Sequence, residues 1–205
     1  RVAAFPLRHI AQVPPKPPEA QWLIDRLWAS SGVGVVGGLP KSLKTWLATE
    51  IGLAVATGTK ALGRFDAKAQ GPVLFFAAED DPPAMRVRFQ SVADARGIRL
   101  GDAPVYLLDA PQLRLDDEAQ LARLRRTVKE ARARLLILDP FVRIARVDEN
   151  SAQEVSGVLG SLRALQREYD VAVLLVHHMR KSPSAHVGQQ LRGSGDFNAW
   201  SDSIM

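Results

Sequence analysis

Residues 37–45 read GGLPKSLKT. Counted from Gly38, this is the phosphate-binding pattern G-x-x-x-x-G-K-[ST] with one departure: the glycine expected just before Lys44 is Leu43. The pattern works because a strand feeds a loop whose backbone N–H groups, together with the positive end of the next helix, hold phosphate oxygens. The context here is correct. VGVVGG reads as the strand, LPKSL as the loop, and Leu47, Ile51, Ala54 and Val55 then share one helical face. In this reading Gly38, Leu39, Pro40, Lys41, Ser42 and Leu43 form the cradle, Lys44 reaches the terminal phosphates and Thr45 contacts a magnesium ion. The stretch alone leaves open an ordinary strand-turn-helix with a solvent-facing lysine. Glycine is usual at the sixth position because it adds no side chain and tolerates unusual dihedrals. Leucine is expected to fit by turning its side chain away from the phosphates, into apolar neighbours such as Trp46.

Outward from this loop, strand-like and helical runs alternate: PVLFFAA, PPAMRVRFQSVADAR, VYLLD, LARLRRTVKEARARLL, LLILD, SAQEVSGVLGSLRALQREY and VAVLLVHH. That order predicts an α/β fold with a mostly parallel central sheet flanked by helices. Ligands of such sheets lie beyond the carboxyl ends of the strands, which directs attention to Lys44, Glu79, Asp139 and His178. Asp139 ends a buried run where a carboxylate has little packing reason to be, and can orient a magnesium-bound water. A capping or loop aspartate is the simpler alternative. In FFAAEDDPP, Asp81 before Pro82 reads as a helix N-cap and Asp80 as a similar feature, leaving Glu79 to polarise an attacking water. Gly32, Gly34 and Gly37 also satisfy G-x-G-x-x-G, but they lie within a strand, and WLIDRLWASS before them is spaced like a short helix; the dinucleotide fingerprint therefore lacks its context.

The chain has 205 residues, 46% of them hydrophobic, which suffices for one full core. Without cysteine there is neither a disulfide framework nor a thiolate metal site. Residues 1–21 read as a proline-rich extended arm and 22–205 as the folded domain. No apolar run is long enough to span a bilayer, and a cytoplasmic protein is expected. The net charge of +5 permits an acidic partner. Much of it lies in the helix where Leu121, Leu124, Val128 and Ala131 form one face and Arg123, Arg125, Arg126, Lys129 and Arg132 the others, which reads as a solvated surface.

Taken in order, GGLPKSLKT, LGRF, FFAAED, LLILDP, DENSAQEV, LLVHHMRK and LRGSGDFNAWSD make residues 22–205 resemble the RecA-like P-loop ATPases of the plasmid-replication helicase RepA type, related to replicative hexameric helicases. The resemblance implies ATP and Mg2+ as cofactors, a homo-oligomeric ring of the hexamer type, and single-stranded DNA as partner. It also implies Lys44 and Thr45 as phosphate and magnesium contacts, Glu79 as catalytic base, Asp139 as the strand-end carboxylate and His178 as a sensor of the terminal phosphate. His177 reads as structural, and the histidines lack an ordered ligand spacing for zinc. The polar stretch after His178 is expected to be a functional loop in which Arg180, Lys181 and Arg192 meet phosphate of DNA or of a neighbouring subunit's nucleotide. FVRIARVDEN reads as a second loop, closed by a capping box from Ser151 to Glu154. No arginine finger is evident in NAWSDSIM, where a further strand and finger are expected to follow. Three functions share this frame: a DNA motor or loader, a nucleotide-controlled interaction module with little turnover, and a recombinase-like filament protein.

Overall fold

The computed structural model describes residues 4–146, 151–178 and 194–205. Its centre is a six-stranded sheet in the order β5-β4-β6-β7-β3-β8: Val105–Leu107, Val73–Ala77, Leu135–Asp139, Ala172–His178, Val33–Gly38 and Ser203–Ile204. Every pairing in it is parallel. The apolar strands are explained by burial on both faces. Along β4 and β6, Leu74, Phe76, Leu136 and Leu138 enter one core, while Val73, Phe75, Leu135 and Ile137 enter the other.

The first core is closed by α3 (Glu118–Ala131), α4 (Phe141–Ile144), α5 (Ala152–Tyr169) and α6 (Ser194–Trp200); the second is closed by α1 (Lys44–Thr57) and α2 (Pro82–Ala95). Helix α1 is apolar almost all round, with Ile51, Leu53, Ala54 and Val55 fully buried, as suits a helix enclosed between sheet and neighbours. In α3, Leu121, Leu124 and Val128 are buried, while Arg123, Arg126 and Lys129 stay exposed. Among the described residues no helix is long and apolar enough to cross a membrane.

The structure corrects the reading of residues 22–29. Instead of a short helix they form an antiparallel hairpin, β1 (Trp22–Ile24) with β2 (Trp28–Ala29). Arg26 at its turn has a φ of 54°, and the hairpin is held by Asp25 N–H donating to Asp66 O and Lys68 N–H donating to Leu23 O. Tertiary pairing thus overrides the local spacing. The glycines of the false dinucleotide fingerprint gain a packing explanation as well. A Cβ on Gly34 would stand 2.2 Å from Ser203 O and 2.8 Å from the Trp28 ring, and one on Gly32 would stand 2.7 Å from Ala29 Cβ. Preceding the hairpin, the arm carries two short 3-10 turns and buries no side chain from Ala4 to Pro18.

Gly34→Ala is expected to lower stability by roughly 2–3 kcal/mol, because backbone and a buried indole cannot both retreat from the new methyl. Urea denaturation checks this; an unchanged midpoint would show that β8 is not packed against β3 as described.

Candidate functional site

The chain leaves β3 through a turn with Ser42 N–H donating to Leu39 O at 3.2 Å. Pro40 occupies its second position, where a fixed φ is favourable, and Lys41 its third with φ 63°. Leu43 then adopts φ 62° and ψ 20°, the left-handed conformation for which glycine is ordinarily chosen. The loop folds back closely enough that a Cβ on Gly38 would stand 2.5 Å from Ser42 Oγ. Side-chain caps close the other long helices: Asp81 accepts from Ala84 N–H, Asp117 from Ala119 and Gln120 N–H, and Ser151 from Glu154 N–H. Helix α1 has no such cap, so its first amides remain directed at the loop mouth, where an anion is favoured.

Leu43 differs from expectation. Its side chain is 68% exposed and does not sink into an apolar setting beside Trp46. Leucine is accommodated by taking a glycine-like backbone and leaving its side chain in solvent, at a strain cost of about 1–2 kcal/mol.

Four strand ends meet around this loop. Gly38 is in register with His178, and Ala77 with Asp139; Ala78 N–H donates to Asp139 O at 2.8 Å, which sets Glu79 just beyond. Lys44, Thr45, Glu79, Asp139 and His178 all line one cavity of about 310 Å³, with Lys41, Ser42, Leu43 and Trp46 at the loop side. Lys44 is buried and its Nζ donates to Leu39 O at 2.7 Å, bridging its own loop. Burial holds its pKa below the ordinary lysine range, against the opposing charges of Asp139 and Glu79. Burial likewise pushes the Asp139 carboxyl up to about 6; the Thr45 side-chain hydrogen bond opposes this, and neighbouring Asp80 and Glu79 add to it. Asp139 Oδ2 is buried and meets no hydrogen-bond donor among the described residues. That acceptor, beside the Thr45 hydroxyl, fits an ordered water of a hydrated magnesium ion.

Two arginines complete the site. Arg88 of α2 lines the same cavity, grips Asp80 at 2.6 and 3.3 Å, and lies 5.3 Å from the Trp46 ring centroid. Asp80 is therefore an ion-pair partner and not a second cap. Arg143 Nε donates to Glu79 Oε1 at 3.1 Å from α4, so the start of FVRIARVDEN is a short helix and not a loop. The sequence signal for both was the excess of carboxylates after β4, which calls for counter-charges. His177 is fully buried, stacked on Phe197 at 4.3 Å and edge-on to Phe141, a core position. Asp202 accepts from Val33 N–H and pairs with Arg163, tying β8 to the sheet. Arg180, Lys181 and Arg192 lie outside the described residues.

Comparisons with known proteins bear on the family and the fold. A sequence family described as AAA domain matches residues 3–184. The replicative DNA helicase DnaB of Geobacillus stearothermophilus is 30% identical over 177 residues, covering 78% of this chain and 38% of that protein; the chain thus spans well under half of that relative. Among solved structures, the ATPase domain of G40P superposes with a TM-score of 0.60 at 13% identity, covering 85% of this chain and 68% of that one. A KaiC-like protein of Pyrococcus horikoshii gives 0.59 at 18% identity over 89% and 73%, and the RadB recombinase 0.58 at 19% over 85% and 73%. The fold is that of RecA-like P-loop ATPases.

Leu43→Gly is expected to retain nucleotide binding and to leave stability unchanged or raise it by up to ~1 kcal/mol, since relief of left-handed strain outweighs the added chain entropy. A clear loss of stability in thermal melts would mean that the leucine side chain is packed after all.

The Asp139 pKa gives a second expectation. Raised from 3.8 to about 6, this group stabilises the fold fully below its unfolded pKa, and the contribution is lost as pH rises through the folded one. Asp139→Asn should therefore be more stable than wild type at pH 7.5 without nucleotide, by on the order of 2–3 kcal/mol, with the gap closing towards pH 4. A gap independent of pH in urea titrations would contradict the burial of this charge.

Proposed function

The chain belongs to the AAA-domain family, and from that premise we propose that it binds ATP with Mg2+ and hydrolyses it while acting on nucleic acid, as a motor or loader in DNA replication or a related process. The observation that carries this reading is the convergence of Lys44, Thr45, Glu79, Asp139 and His178, from separate segments, on one cavity under the phosphate loop. Lys44 opposes the terminal phosphates as the main mobile charge, and the loop amides bind the rest. Thr45 and Asp139 would hold the magnesium ion, largely through water, which when bound supplies positive charge against the phosphates. Glu79 accepts a proton from the attacking water as the water oxygen bonds the terminal phosphorus and the bond to the bridging oxygen breaks. His178 would report the terminal phosphate, a reading supported by its register with Gly38 at the end of the phosphate-loop strand.

The nucleic-acid part of the reading rests on the DnaB relative and on a basic chain with a sequence pI near 9.9. In this proposal the protein works in the cytoplasm as a ring, with six copies as in the RepA type, on single-stranded DNA, and Arg180, Lys181 and Arg192 contribute phosphate contacts. A second reading, a nucleotide-controlled interaction module without efficient turnover, draws on the exposed Leu43 side chain beside the cavity.

An ATPase assay with and without single-stranded DNA separates these readings: stimulated turnover favours the motor, and tight binding without turnover the module. Lys44→Ala should weaken ATP binding more than tenfold, over ~1.4 kcal/mol, whereas Glu79→Gln should keep ATP and lose hydrolysis, because the amide holds the shape without the basicity. Unchanged affinity in the first variant would remove the phosphate-loop assignment, and normal turnover in the second would move the base elsewhere.

A further inference from the structure

Three lysine and arginine side chains line the cavity under the phosphate loop, and two of them are already engaged. Lys44 is buried with Nζ donating to Leu39 O, and Arg88 grips Asp80 through both terminal nitrogens. The third is Lys41, exposed at the tip of the loop. Among the described residues its side chain makes no ion pair and no hydrogen bond. An added phosphate therefore meets this ammonium without breaking an existing contact, whereas Lys44 has Leu39 O to give up.

The backbone at this position argues that the lysine is there for its side chain. Leu39 to Ser42 form a turn closed by Ser42 N–H donating to Leu39 O at 3.2 Å, and Lys41 holds its third position with φ 63°. Glycine or asparagine is the usual occupant of such a position, because a Cβ there is strained. A lysine on this backbone costs stability and regains none by packing, since the side chain is exposed. Strain kept at a residue that opens on a charged cavity points to function. What the position offers is a compact ammonium on a flexible four-carbon stem, lining the same cavity as Glu79, Asp139 and His178. Those three are the groups assigned to the end of the phosphate chain.

We propose that the Lys41 ammonium folds back over the loop onto the terminal phosphate of a bound triphosphate, and so makes this chain distinguish ATP from ADP. The proposal rests on the reading of the cavity as an ATP site. It adds a residue whose side chain, and not only its amide, reads the number of phosphates. The added charge comes from the same chain that holds the nucleotide, so the discrimination needs no neighbouring copy.

The test is titration calorimetry of the full chain with MgADP and with the magnesium complex of the non-hydrolysable β,γ-imido analogue of ATP, so that turnover plays no part. In Lys41→Ala the preference for the triphosphate over MgADP should fall roughly threefold to tenfold, the range of one solvent-facing contact to a multiply charged phosphate, with affinity for MgADP nearly unchanged. Lys41→Arg keeps the charge and should keep most of the preference. Lys41→Gly removes the charge together with the left-handed strain; it should melt no lower than wild type and still lose the preference, which separates recognition from folding. A preference retained in Lys41→Ala and Lys41→Gly overturns the proposal. An equal loss of affinity for both nucleotides also overturns it, because the ammonium would then serve the inner phosphates. If wild type binds neither nucleotide, the reading of the cavity as an ATP site fails, and the proposal falls with it.

Discussion

The left-handed turn at Leu43 sets the geometry on which the rest of the site depends. A strand buried on both faces has to become a buried helix within five residues, without capping that helix by a side chain. Positive φ at Lys41 and Leu43 achieves the reversal, and the cost is backbone strain at a residue type that rarely accepts it. What the strain secures is a loop whose amides are directed at one cavity, with Lys44 at the first helical position and Thr45 beside Asp139. The departure from the glycine pattern is therefore one of side chain and not of backbone: Leu43 keeps the conformation that glycine would have and extends its side chain into solvent.

Around that loop the site is an electrostatic balance. Glu79 and Asp80 stand close enough to Asp139 to raise the cost of ionising its carboxyl, and Lys44 and Arg88 act within the same field. Burying both signs in one cavity does little for stability, because desolvation offsets the attraction. It does prepare the cavity for a multiply charged ligand: the lysine, held below its ordinary pKa by burial, gains from phosphate, and the buried Asp139 carboxylate gains from a cation. Sites of this kind trade stability of the free protein for affinity, which is why acidic residues gather at the end of an otherwise apolar strand.

Most of this architecture was legible in the sequence because each central strand is a short apolar run that stops at a polar residue. Both faces of a parallel sheet need burial, and the chemistry collects where burial ends. Lys44, Glu79, Asp139 and His178 could thus be chosen by position alone, and the structure brings them to one cavity. What could not be read depended on partners distant in the chain. The hairpin at Trp22–Ala29 is defined by backbone bonds to Asp66 and Lys68, more than forty residues away, so its own spacing misled. Asp80 looked like a cap because a proline follows shortly, whereas its partner Arg88 lies two turns into the next helix. Arg143 sat in what read as a loop, and only the adjacency of β4 and β6 sets it beside Glu79. Leu43 was expected to pack beside Trp46, and its side chain lies in solvent instead.

The central claim is that a leucine in the glycine position still leaves a working phosphate cradle. The most direct measurement is a backbone amide NMR titration of the nucleotide-free protein with MgATP, following residues 39–45. The account predicts saturable shifts of the Ser42, Leu43, Lys44 and Thr45 amides, larger than those elsewhere in α1, because these N–H groups would donate to phosphate oxygens. Amides at 42–45 that stay in place while MgATP binds elsewhere, or does not bind at all, would contradict it.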